Sequence, residues 1–161
     1  MAKSAYDIAP DATFIEAAHT SLRQQLREMM DNLEGTRLGE DIEALHDMRV
    51  ASRRLRAALS VFAAAFPPKP FSVTEKEVAK TTDALGAVRD SDVQIEFMEA
   101  AIAAAPESEK VGLRAFLSHL QAERDRERVL LVKELNRLEK SAFAKEFEKL
   151  LGHDIQEARL G

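Results

Sequence analysis

The chain of 161 residues has no cysteine and no tryptophan, one tyrosine, six glycines and five prolines. Without cysteine there is no disulfide framework, thiolate-held zinc, iron–sulfur cluster or thiol nucleophile, which suits a reducing compartment. Aromatic residues make up 6% of the chain, too few for the stacking platform on which single-stranded nucleic acid is usually held. Long apolar runs are missing as well. The longest uncharged stretch, Ala57 to Pro68, is 12 residues, short of the roughly 20 needed to cross a bilayer. The N-terminus carries Lys3, Asp7 and Asp11 without an apolar core between them, so no secretory signal is expected and a cytoplasmic location is. There is no Gly-x-Ser-x-Gly elbow, no phosphate loop ending in Gly-Lys-Ser/Thr and no Gly-x-Gly-x-x-Gly, which leaves hydrolase, nucleotide hydrolase and dinucleotide readings without a foothold.

What is present fits one domain over residues 1–161, with a core from about 11 to 158. Hydrophobic residues are 45% and charged residues 32% of the chain, and a chain of this length buries enough surface to need no cross-link. The formal net charge is −5, which argues against a general nucleic-acid or membrane-surface binder. The charge is unevenly spread: residues 44–70 carry five basic groups against one acidic, whereas the flanking segments are acidic.

Hydrophobic periodicity is helical throughout and β-branched runs are scarce, so the expected class is all-α. Thr13-x-x-Glu16, Ser72-x-x-Glu75 and Ser91-x-x-Gln94 each match a capping box, in which two side chains satisfy orphan backbone N–H groups. Helices are expected near 11–34, 40–66, 72–88, 91–105, 107–139 and 141–158. Breaks fall at Gly35/Gly39, the Pro67-Pro68-Lys69-Pro70 turn, Gly86 to Ser91, Pro106 and Lys140-Ser141. Short connections between long amphipathic helices predict an antiparallel up-and-down bundle of four long helices plus shorter ones.

The most informative segment runs from His46 to Arg56. At 100° per residue Leu45, Met48, Ser52, Leu55, Leu59, Phe62 and Phe66 share one arc, the face that packs. His46, Arg49, Arg53 and Arg56 occupy the adjacent arc, while Arg54 points away near Asp47. Like charges three or four residues apart repel by about 0.2–0.5 kcal/mol per pair, so something must offset the stripe. Carboxylates from neighbouring helices are one answer. A polyanion is the other, because a planar guanidinium bonds phosphate oxygens in pairs and stays charged. Arg23, Arg27, Lys76, Lys80, Arg89, Arg124 and Arg128 are further candidates for the same groove. Arg124 interrupts the apolar seam Leu113, Phe116/Leu117, Leu120, Arg124, Glu127, Leu131, Leu135, Leu138, and an inward arginine needs an anion, from protein or ligand.

The same helices also carry the pattern of another class. Glu16-x-x-His19 and Glu43-x-x-His46 match the element of di-metal carboxylate bundles. At 1.5 Å per residue from the turn near 35–40, however, they sit roughly 27 Å and 5 Å along an antiparallel pair, so they cannot share a metal, and no metal or cofactor is expected. His19, His119 and His153 are expected at the surface or core edge. Two alternatives stay open: a structural or protein-interaction module whose arginines are all paired internally, and a binder of another polyanion such as RNA.

The run His46-x-x-Arg49-Val50-Ala51-x-Arg53-Arg54-Leu55-Arg56-Ala57-Ala58-Leu59 resembles the hallmark helix of the CHAD family, the conserved histidine α-helical domain. Leu85-Gly86-Ala87-Val88-Arg89-Asp90-Ser91-Asp92-Val93 resembles its Leu-Gly-x-x-Arg-Asp-x-Asp-Val element, and Glu123-Arg124 with Leu130-x5-Asn136-Arg137 resembles its later long helix. The resemblance spans roughly residues 14–151. It implies a helical bundle whose basic groove binds inorganic polyphosphate without catalysis, in the cytoplasm or at polyphosphate granules. Carried over by position, His46, Arg49, Arg53, Arg54, Arg56 and Arg89 would contact the anion, joined by Arg124, Lys76, Lys80 and Arg128. Asp90 and Asp92 would orient Arg89 or cap a helix beginning near Ser91. The family's usual domain has two similar helical halves, whereas this chain supplies one, so a homodimer is expected to rebuild the symmetry.

Overall fold

The computed structural model describes residues 8–160, with side chains as far as Gly152, so the expectation for His153 lies outside the described side chains. Six α-helices follow in order, α1 (Phe14–Asp31), α2 (Leu33–Leu38), α3 (Ile42–Phe62), α4 (Pro68–Ala104), α5 (Glu107–Lys140) and α6 (Phe143–Leu160), with a short 3-10 turn at Ala63–Ala65 after α3. No strand occurs among the described residues. The all-α expectation holds, with five long helices rather than four.

Local chemistry explains where the helices begin. At α1 the Thr13 hydroxyl accepts from the Glu16 N–H at 3.2 Å while Glu16 accepts from the Thr13 N–H at 2.8 Å, the reciprocal cap read from the sequence. The boxes at Ser72 and Ser91 do not form. The chain enters α4 earlier, at Pro68, where a missing N–H costs nothing in the first turn, and Ser72 already lies inside the helix. The expected break between residues 86 and 91 is absent too, because α4 runs 37 residues without interruption. Ser91 and Asp92 are buried within it. Gly86 lies at the α3/α4 junction, where a Cβ would make an ordinary contact, 3.9 Å from Arg49 Nε.

Long helices pack antiparallel. Phe14 at the start of α1 meets Phe62 at the end of α3, ring centroids 5.2 Å apart. Arg49 lies beside Gly86 and Arg56 beside Asp83, so α3 and α4 run in opposite directions. Thr81–Glu134 and Asp92–Arg124 contacts set the same relation between α4 and α5. The core is continuous from Ala18, Leu22, Leu26 and Met29 on α1 through Met48, Leu55 and Leu59 on α3 and Val78 and Leu85 on α4. Leu131, Leu135 and Leu138 on α5 and Phe147 and Leu151 on α6 complete it. At about 25 cal/mol per Å² of apolar area removed from water, each such side chain is worth about 1.5–3 kcal/mol.

Candidate anion-binding site

α3 carries the cationic stripe because its apolar arc is used up by Leu45, Met48, Ala51, Ser52, Leu55 and Leu59, all buried. What remains faces outward or along the seams. Arg49 is half-buried and lies across the α3/α4 junction against Gly86, while Arg53, Arg54 and Arg56 are exposed. Among the described residues, Arg49, Arg53 and Arg54 have no carboxylate within 4.0 Å. Arg56 reaches only Asp83, at 3.6 Å between two exposed side chains, a contact worth little in water.

Next to this stripe Arg56, Leu59 and Ser60 of α3 and Glu75, Lys76 and Ala79 of α4 enclose a groove of about 370 Å³. Arg89, one turn beyond Gly86 on α4, is half-buried and also lacks an internal acceptor among the described residues. Lys80 is exposed outside the groove lining.

The structure does not bring all the sequence candidates together. His46 and Arg54 open on the opposite seam, between α1 and α3, where a cleft of about 680 Å³ is lined by Glu28, Asp31, Asn32, Glu43, Asp47 and Val50. Four carboxylates make that cleft unfavourable for a polyanion. The expected arc of His46 with Arg49, Arg53 and Arg56 therefore splits: Arg49 and Arg56 border α4, Arg53 stays exposed on the surface of α3, and His46, its Nδ1 buried without a partner, borders α1.

Arg124 is the inward arginine of the α5 seam, and protein supplies its anion. Its Nε donates to Asp92 Oδ1 at 2.7 Å, with the carboxylate almost wholly buried. Asp92 thus holds Arg124, correcting the reading in which it orients Arg89 or caps a helix. Arg128 is likewise employed within the fold. It donates to the carbonyls of Thr36 at 3.2 Å and Arg37 at 2.7 Å, satisfying the orphan acceptors at the C-terminus of α2 with a cation where the helix dipole favours one.

Arg23 pairs with Glu148 at 3.1 Å, joining α1 to α6. Two arginines outside the set of site candidates, one of them in the Leu130-x5-Asn136-Arg137 element, complete this structural set. Arg37 meets Glu139 at 2.6 Å, and Arg137 bridges Glu77 on α4 and Glu134 on its own helix, which holds its guanidinium even more firmly protonated than usual. Each also has a carboxylate three residues before it, Glu34 and Glu134, but the partners that tie helix to helix, Glu139 and Glu77, lie 102 and 60 positions away in sequence, so no local pattern announces them. Arg27 is exposed on α1 with no partner among the described residues.

His19 is buried rather than at the surface, with 4% of its area exposed and neither ring nitrogen bonded. It packs against Phe66, centroids 6.0 Å apart. Burial and then the nearby Arg23 charge push its pKa below the usual imidazole value, against a smaller pull from Glu148. No cluster of three or more metal-ligating side chains occurs among the described residues, and no described helix is long and apolar enough to cross a membrane.

No curated protein matches the sequence. The CHAD domain family profile matches residues 20–160, a span that contains the α3 stripe, the Leu85–Val93 element and all of α5. The chain belongs to the CHAD family.

Proposed function

As the chain is a CHAD domain, we propose that it binds inorganic polyphosphate, without catalysing a reaction on it, along the face that α3 presents beside α4. The observation that carries this reading is the division among the arginines. Arg23, Arg37, Arg124, Arg128 and Arg137 are each held by a carboxylate or carbonyl of the protein, whereas Arg49 and Arg53 stand on consecutive turns of one helix with none among the described residues. Lys76 and Lys80 on α4 are likewise unpaired on consecutive turns, whereas the isolated cations Arg27, Arg114 and Arg126 are not stacked in this way.

The chemistry of the face favours phosphate over base. Arg49, Arg53 and Arg56 step along α3 at intervals of four and three residues, a rise of about 6 and 4.5 Å, a row of forked donors for a chain of anionic oxygens. Lys76 and Arg89 extend it onto α4. No aromatic lines the groove, so nothing there stacks a nucleobase. His46 and Arg54, on the acidic seam, would contribute at the edge, and Arg124 and Arg128, engaged within the fold, would shape the site rather than contact its ligand.

Titration of the purified protein with long-chain polyphosphate at two salt concentrations, beside single-stranded RNA of matched charge, tests the reading. The expected result is selective binding whose affinity falls with salt at a log–log slope of order −0.7 per phosphate contact, by analogy with single strands, and which is lost in Arg49→Glu/Arg53→Glu. Equal binding of RNA, or binding unaffected by the double substitution, would sink it.

A further inference from the structure

Asp83 of α4 is, among the described residues, the one carboxylate within 4.0 Å of an arginine of the α3 stripe; its Oδ1 lies 3.6 Å from Arg56 NH1. The fold makes no other use of it among those residues. Its side chain is 77% exposed, it lies well inside α4 and caps no helix end, and a pair so open to water adds little to stability. Its position along the helix sets it apart. One turn before it, Ala79 lines the groove that also holds Arg56, Ser60 and Lys76. About one turn after it comes Gly86, where a Cβ would lie 3.9 Å from Arg49 Nε, and Arg89 follows three residues on. Asp83 therefore stands between the two cationic parts of the face, on the path that joins them.

We infer that Asp83 is a resident counter-anion, an internal competitor that holds Arg56 while the face is empty and must give it up to phosphate; the inference rests on the polyphosphate reading above. The step is an exchange of partners. A guanidinium bonds carboxylate and phosphate through the same forked donors, so the two compete for Arg56. The carboxylate is tethered beside the arginine and acts at an effective concentration on the order of millimolar. A dilute free anion does not match that, whereas a polyphosphate already held at Arg49 or Lys76 does, because its next phosphate is tethered too. Exposure is what makes the exchange cheap: the Arg124–Asp92 pair, with its carboxylate almost wholly buried, could not be opened this way without stranding a buried charge. Once displaced, Asp83 stays beside the bound anion and repels it. The residue that masks Arg56 in the free protein thus also shortens the life of the complex.

The test is the affinity and dissociation rate of the intact chain for long-chain polyphosphate, at low salt with a chelator present, in Asp83→Asn and in the same substitution placed on Arg56→Gln and Arg53→Gln backgrounds. Asp83→Asn is expected to tighten binding by about two- to fivefold, the range of an exposed ion pair, chiefly through slower dissociation and with helical content unchanged. The gain is expected to persist beside Arg53→Gln and to vanish beside Arg56→Gln, since a pairwise exchange needs both members of the pair. A gain of equal size in all three backgrounds makes Asp83 one part of the general field and overturns the inference, and so does no gain or a loss. Wild type that binds polyphosphate while Asp83→Asn binds it no better leaves the polyphosphate reading standing and removes this role alone. If neither wild type nor Asp83→Asn binds, the reading of the face itself falls, and the inference with it.

Discussion

A single ion pair decides how Arg124 and Arg53, both arginines of motifs shared with the family, should behave. Truncating Arg124 leaves Asp92 buried with no cation, and stranded buried charges are expensive. Arg124→Ala should therefore lower stability by on the order of 2 kcal/mol, with the discount due to a pair that is partly exposed on the arginine side; urea unfolding followed by circular dichroism measures it. An unchanged midpoint would mean that the 2.7 Å contact contributes no net stability. His19 belongs at the same scale. Its pKa is pushed down in the folded state, whereas the unfolded imidazole titrates near 6.5, so the unfolded chain binds the extra proton first. Stability is then fully present above about 6.5 and falls as pH drops from there toward the lowered folded value. His19→Leu should flatten that slope in thermal melts between neutral and mildly acidic pH, and an equal slope in wild type and variant would exclude His19 as its source.

The helical class and the start of α1 were legible in the sequence and other helix ends were not, for a reason visible in α4. Apolar spacing reports which face packs, and it gave the correct core on α3, from Leu45 to Leu59. Gly86, Asp90, Ser91 and Asp92 look like a break because each is a common terminator or cap. Tertiary partners override them: Arg49 covers the glycine, and Asp92 turns inward to Arg124. The short α2 shows the reverse case. In the sequence Gly39 marks only a break, yet it sits at φ 71°, in the left-handed region that glycine enters freely. A Cβ there would also fall 2.0 Å from the Arg128 guanidinium. Gly39→Ala should cost on the order of 1–3 kcal/mol for the backbone alone and further weaken the Arg128 cap. Double-mutant analysis with Arg128→Ala separates the two, because the steric part vanishes once the guanidinium is gone. Additive losses would show that the glycine is needed for its backbone only.

For the molecule as a whole, the charges are unevenly spread: carboxylates gather along α1/α3 and at the α2/α3 corner, while Arg49 and Arg56 line the side of α3 next to α4. The sequence showed the cationic stripe. It could not show which arginines would be consumed inside the fold, because Glu139, Glu148 and Glu77 reach theirs from distant helices. A stripe left unpaired carries a folding cost, since Arg53 repels Arg49 four residues before it and Arg56 three residues after. Reversing its charge turns two repulsive pairs into attractive ones, each change worth about 0.4–1 kcal/mol on a helix surface at low salt. Arg53→Glu should therefore stabilise the protein by about 1 kcal/mol at low ionic strength while weakening polyphosphate binding, and the stabilisation should shrink as salt screens it. Urea midpoints at low and high salt, set beside polyphosphate titrations of the same samples, measure both. A binding face retained at the expense of the fold predicts opposite signs for the two effects. Loss of stability in Arg53→Glu would place Arg53 with Arg124 and Arg137 among the arginines that hold the bundle together.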